Sequence, residues 1–375
     1  DGSNENKSVI RFESSLIESS TELSNFTIQN GYAQNGYGWG DAGGGGINAE
    51  TGNIYLERLL IKDNVGSFAA AIWSSKSTIT MNKLTVINNS NGASDDHSGT
   101  IYLNAGSDVS IVNCLITDNE LRPVFAFSAN DPNTVSVSYS VLDGGQDSIV
   151  TNDNLTINWG NGNFQTQQLG FIDSTNDNFN INATSHLINA GHPDSTDSDG
   201  TRADIGVYPY LNTYSGPTWY ISESGNDTTA TGASGDPFRS IQAGINFSSD
   251  ADSVTVAAGT YVENVDFRGR NIKVVGENQE TTIIDGDSLS SVVKFENYHE
   301  YGVDDLDDVL LKGFTLQNGV GSPEGVPAGE LRFGGGILCE YASPVLEDLI
   351  IQDNWVVATG YGAGIHLRYW SSPEV

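Results

Sequence analysis

The sequence predicts an all-β fold, a parallel β-solenoid in tandem units, and three observations carry that prediction. The end of the chain replays its beginning. Phe26-Thr27-Ile28-Gln29-Asn30-Gly31 returns 288 residues later as Phe314-Thr315-Leu316-Gln317-Asn318-Gly319. Gly44-Gly45-Gly46-Ile47 and Leu59-Leu60-Ile61-Lys62-Asp63-Asn64 return 290 residues later as Gly334-Gly335-Gly336-Ile337 and Leu349-Ile350-Ile351-Gln352-Asp353-Asn354. Inside that long period runs a short one: Ile47, Ile72, Ile101 and Phe125 follow one another at steps of 25, 29 and 24 residues. The third observation is a parallel set of short apolar strands ending on Asn30, Asn64, Asn88 and Asn119. Self-similarity at fixed periods is the mark of a stacked repeat architecture.

Each element has a physical reason. The alternating strands Ile54–Leu56, Thr78–Met81, Asp108–Ile111 and Thr134–Val137 sit between Gly, Asn, Ser and Asp turns. Three short strands per 24–29 residues, in register, place equivalent residues about 4.8 Å apart in neighbouring rungs. Ile, Val and Leu then stack inside, Asn suits left-handed corners and can form amide ladders, and Gly fits corners too tight for a β-carbon. A βαβ alternative needs an amphipathic helix between strands, and residues 1–160 contain none.

Beyond a boundary near Tyr214-Ser215-Gly216-Pro217 the pattern changes. Asp236 suits a helix N-cap, Pro237 the first helical position, and Phe238, Ile241 and Ile245 share one face. Such a helix would plug the open end of a solenoid, where core and strand edges are otherwise bare. Strands resume at Ser253–Val256 and Asn271–Val275. The expected organisation is residues 1–212 as the later coils and closing segment of one unit, 213–217 as a linker, and 218–375 as the capping helix and first coils of the next.

Sixteen Lys and Arg against 48 Asp and Glu give a formal charge of −32, which repels nucleic acid and anionic lipid and attracts cations, Ca²⁺ above all. With 37% hydrophobic residues the chain can nevertheless bury a core. Cys114 and Cys339 lie in apolar strand-like runs and read as small buried hydrophobes. No apolar run approaches the ~18 residues of a membrane span.

Trp219-Tyr-Ile-Ser-Glu-Ser-Gly-Asn-Asp227, Asp236-Pro-Phe-Arg-Ser-Ile-Gln-Ala-Gly-Ile245 and Val256-Ala-Ala-Gly-Thr-Tyr-Val-Glu-Asn264 resemble the opening of right-handed parallel β-helix domains of the pectate-lyase-like class. His186–Asp194 and Asp197–Gly206 resemble their closing segment. The resemblance implies a right-handed β-helix of the kind common in secreted bacterial surface proteins. It does not imply an activity, since the class holds lyases, hydrolases, adhesins and spacers.

Asp197, Asp199 and Asp204, with Gly200 among them, are the candidate metal ligands: hard oxygens at alternate positions suit a structural Ca²⁺. The alternatives are a plain Asp-rich turn or pairing with Arg202. Asp304–Asp308 reads as a solvated acidic loop. Asp95-Asp96-His97 resembles a polygalacturonase acid set, but the downstream elements of that family are missing. Arg268, Arg270 and Lys273 form the only basic cluster and read as surface charge. Tyr37, Trp39, Tyr361 and Trp370 flank the repeated glycine corner and are the candidate ligand-binding residues, stacking sugars or sealing contacts between chains.

These features predict no enzyme. They predict an extracellular structural repeat protein, part of a cell-surface fibre, stalk or adhesin. Its partners would be neighbouring copies of itself or cell-surface glycans, with neither nucleic acid nor membrane insertion in this segment. Filament assembly is one version of that reading; a carbohydrate-active or glycan-binding β-helix is the alternative.

Overall fold

The computed structural model describes residues 7–13, 21–33, 43–92, 97–128, 130–151, 154–296, 309–324, 331–357, 360–369 and 371–374. It is nearly all β, with 47% strand and 4% helix, and its sheets are built from parallel pairs apart from two short hairpins. Two compact units divide the chain: residues 1–169 with 186–211, and residues 170–185 with 212–375. Residues 170–185 group with the second unit although residues 186–211, which follow them, group with the first.

In the first unit each pass of the chain lays its strands beside those of the pass before, and three apolar columns result. One runs Ile10, Ile47, Ile72, Ile101, Val124, Ile149. A second runs Leu23, Leu56, Met81, Ile111, Val137, Trp159. The third runs Ile28, Ile61, Val86, Ile116, Leu142. All three feed one core. The periodic ladder is right with one exception. Val124, not Phe125, pairs with Ile101; Phe125 pairs with Tyr102 and faces outward. A slip of one residue exchanges the two faces of a strand, and in a Val-Phe pair composition alone does not choose between them.

The corners explain the asparagines. Asn30, Asp63, Asn88 and Asp118 hold positive φ at 59°, 53°, 55° and 50°. The amide ladder occupies the next position along: Asn64 Nδ2 donates to Asn89 Oδ1 and Asn89 Nδ2 to Asn119 Oδ1, each at 3.0 Å. The strand-ending asparagines therefore fall into two classes, Asn30 and Asn88 turning the chain and Asn64 and Asn119 linking successive passes.

The second unit repeats these devices. Asn318 and Asp353 hold φ at 59° and 53°, and Asn354 Oδ1 accepts from the Gly319 N–H at 2.7 Å as Asn64 Oδ1 accepts from Gly31 at 2.9 Å. A β-carbon at Gly31 would run into the Gly45 carbonyl, and one at Gly319 into the Gly335 carbonyl, so both corners require glycine. Its columns include Trp219, Val254, Val274, Leu311, Leu346 and Tyr261, Ile284, Leu316, Ile351.

The helix is present but starts later than expected. α1 spans Ile241–Phe247, with Ser240 as N-cap. Asp236 instead accepts from the Thr231 N–H at 2.9 Å, and Phe238 bridges to Ile221 as part of the stack. The helix N-terminus is satisfied from other segments: Asp227 accepts from Arg239 and Ser240 N–H, and Glu263 from Ile241 and Gln242 N–H. All seven helical residues are buried. Among the described residues no helix is long and apolar enough to cross a membrane.

Candidate functional site

The feature that recurs on the outer face of both units is a cation followed two residues later by a glutamate, with a second glutamate on the next strand. Val9-Ile10-Arg11-Phe12-Glu13 and Val292-Val293-Lys294-Phe295-Glu296 are the same pentapeptide in different residues. Strand alternation turns Ile10 and Phe12, like Val293 and Phe295, to the core and the charged residues outward. Arg11 pairs with Glu13 and Lys294 with Glu296. The strand register sets Glu296 beside Glu340, and in the first unit it pairs Phe12 with Ala49, the residues that immediately precede Glu13 and Glu50. Strand spacing puts the Glu296 and Glu340 backbones about 4.8 Å apart.

Both constellations hold a buried carboxylate oxygen with no hydrogen-bond partner among the described residues, Oε1 of Glu50 and Oε2 of Glu296. An unmatched buried acceptor costs about 1–3 kcal/mol, so its presence in both units marks a place where a donor is wanted. Burial lowers the Lys294 ammonium pKa, against the opposing fields of Asp266 and Glu340. Arg368 closes the second constellation with a 2.9 Å pair to Glu340.

Aromatic rings flank each constellation. In the first unit Trp73 stacks on Tyr102 at 4.7 Å and 10°, with Phe68 and Phe125 against them, and Trp73, Tyr102 and Phe125 are buried in one another. In the second, Tyr361 stacks on Phe333 at 5.6 Å and 9°, and His366 occupies the strand position matching Trp73. The Arg368 guanidinium lies 4.4 Å from the Phe333 ring centre. Of the four aromatic residues expected to bind ligand, Tyr361 is here and 57% exposed; Tyr37, Trp39 and Trp370 lie outside the described residues. The sequence reading missed Phe68, Trp73, Phe333 and His366, and missed both glutamate pairs. The signal was the match of Val9–Glu13 to Val292–Glu296, whose offset of 283 residues differs from the other repeats.

The Asp-rich segment has another arrangement. Asp197 is buried and accepts from Lys83 Nζ at 2.7 Å and from the Asp204 N–H at 2.7 Å. Asp204 accepts from the Asn189 and Tyr210 N–H groups, and Asp199 from the Thr201 N–H and hydroxyl. Lys83 pairs with Asp197, and burial pushes the neighbouring Asp204 carboxyl up to about 8 despite its two N–H donors. Among the described residues no group of three or more His, Cys, Asp or Glu side chains is placed to hold a metal ion. A calcium ion at Asp197, Asp199 and Asp204 would have to compete with Lys83. Chelation should therefore leave the melting temperature unchanged, and a clear fall in EDTA, restored by Ca²⁺, would establish a bound cation.

The other candidates resolve simply. Arg268 Nη1 donates to Asn246 Oδ1 at 2.8 Å and Arg270 to the Ser248 carbonyl, so both arginines hold the end of α1. Lys273 is exposed. Asp95, Asp96 and Asp304–Asp308 lie outside the described residues, and His97 packs edge-on to Phe125 at 6.0 Å. Cys114 and Cys339 are buried free thiols, each pushed up to about 12 by burial. Comparison with protein-family models, curated proteins and solved structures gives no match to this chain.

Proposed function

We propose that the chain is a stretch of an extracellular surface protein, a fibre, stalk or adhesin built from tandem right-handed parallel β-helix units, and that the recurring charged face of each unit, joined in the second by the exposed Tyr361 ring, meets a glycan. The observation that carries this reading is the recurrence of Arg11, Glu13 and Glu50 as Lys294, Glu296 and Glu340. Carboxylates accept hydrogen bonds from sugar hydroxyls, and adjacent rings stack on sugar faces. Weak sites repeated along an array act together through avidity. The acidic surface, at −32 for this stretch, keeps a long polymer soluble.

Binding of the purified chain to a glycan array tests the reading. The double substitution Glu50→Gln and Glu340→Gln should weaken binding by about tenfold or more, the loss of charge-assisted hydrogen bonds at two sites. A chain that binds neither glycans nor cells nor its own copies would sink the adhesive version.

The second reading is turnover of a polysaccharide. Glutamates on neighbouring strands are the residue type that retaining glycosidases use as a pair, with carboxyl groups ~5–5.5 Å apart. Incubation with acidic and neutral polysaccharides, followed by end-group analysis, separates the two readings. Product that disappears in Glu296→Gln supports catalysis; none supports a binding role.

A further inference from the structure

The second unit is completed by sequence that precedes the closing segment of the first. Residues 170–185 form an antiparallel hairpin, Phe171–Asp173 with Asn178–Ile181, whose base is tied by the Asn182 N–H to the Gly170 carbonyl at 2.7 Å. Phe179, Ile181 and Ala183 are buried at 2%, 5% and 0% exposure while Ile172 and Asn180 are exposed, so one face of the hairpin is packed.

Its attachment is specific. Asn246, wholly buried on α1, donates from Nδ2 to the carbonyls of Ala183 and Ser185 at 3.0 Å each, and the Ala183 N–H donates to the Asp227 carbonyl. The Oδ1 of Asn246 is held by Gln242 and Arg268. Asp227 in turn caps the approach to α1 through the Arg239 and Ser240 N–H groups. Gly170 has φ +65°, and a β-carbon there would lie 2.7–2.9 Å from Ser185 atoms, closer than packing allows.

We propose that α1 with Asp227 is an acceptor surface for a donated hairpin: the partner is a strand pair with one buried face, followed by two carbonyls that accept from Asn246, and residues 170–185 fill it in cis. On the tandem-array reading given above, every unit's cap is finished by the hairpin of the unit before it. Without the hairpin, Asn246 loses both carbonyls that accept from its Nδ2 and Asp227 loses the Ala183 N–H, so a unit begun at its own helix is an incomplete fold.

Asn246→Asp in the full chain tests this. It keeps the acceptor oxygen for Gln242 and Arg268 and replaces the donor to Ala183 and Ser185 with a second oxygen. Hydrogen exchange at residues 241–247 should rise by about tenfold or more, and proteolysis should open within 170–185, while strands 99–142 keep their protection. Gly170→Val, which wedges the hairpin base, should do the same, and a synthetic peptide of residues 168–186 should restore protection in that variant. Unchanged exchange at α1 in both variants, or no rescue by the peptide after the hairpin has been cut, overturns the proposal. A chain that responds as expected yet forms no extended arrays removes the array reading and leaves the acceptor surface standing.

Discussion

Lys83→Met should destabilise the first unit by about 3–5 kcal/mol, the usual result of stripping one partner from a buried ion pair. The two side chains are 3% and 2% exposed and 2.7 Å apart. Lys83 sits at a positive-φ corner, φ 56°, from which its ammonium also donates to the Thr196 carbonyl at 2.9 Å. Removing it leaves Asp197 as a buried charge beside Asp204. The double variant Lys83→Met with Asp197→Asn should recover part of the loss, because the residual cost is then packing rather than an unpaired charge. Urea unfolding followed by circular dichroism measures both; a single-variant loss under about 1 kcal/mol would show that water already reaches the pair.

The same cluster sets a pH dependence. Asp204 titrates at about 8 in the fold against 3.8 for the free side chain. A carboxyl raised by folding binds its proton more tightly in the native state. Its contribution to stability is complete below about pH 4 and is lost as pH rises through 8. Glu263, raised to about 7 by burial beneath α1, acts in the same direction. Urea midpoints should therefore fall between pH 5 and pH 8.5, and Asp204→Asn should flatten part of that slope.

Much of the fold was legible because a stacked repeat writes its packing directly into the sequence. Ile47, Ile72 and Ile101 pair as their spacing requires, and Gly44–Gly46 mark a corner where added β-carbons meet backbone. What was hidden depends on distant segments. The cap of α1 comes from Asp227 and Glu263, and no local pattern names a carboxylate 22 residues downstream of the helix start. Lys83 looks like a surface lysine until the closing segment brings Asp197 to it from 114 residues away. The glutamate pairs were hidden for a different reason. Each glutamate looks in sequence like an ordinary outward residue, and the pairing of Glu296 with Glu340 becomes visible only once strand register is known.

Asn89→Leu should cost about 3–5 kcal/mol, more than any single apolar truncation that leaves a methyl-sized hole. Asn89 is fully buried. Its Nδ2 serves the carbonyls of Ile61 and Ile87 at 2.9 and 3.0 Å as well as Asn119, and its Oδ1 accepts from the Asn64 N–H and Asn64 Nδ2. Leucine matches the volume but strands two carbonyls and an N–H in the core, and each stranded group costs about 1–3 kcal/mol. The position along the ladder should grade the effect. Asn119 is partly exposed, so water can replace part of what Asn119→Leu removes, and about 1 kcal/mol is expected. Asn354 in the second unit is also partly exposed and holds Gly319 N–H and the Leu316 carbonyl; its loss should fall between the two. Equal losses at Asn89 and Asn119 would mean that side-chain volume, not the chain of amides, holds successive passes together. A steep gradient toward the buried rung would identify the amide ladder as the element that fixes strand register, and with register the placing of one glutamate beside the next.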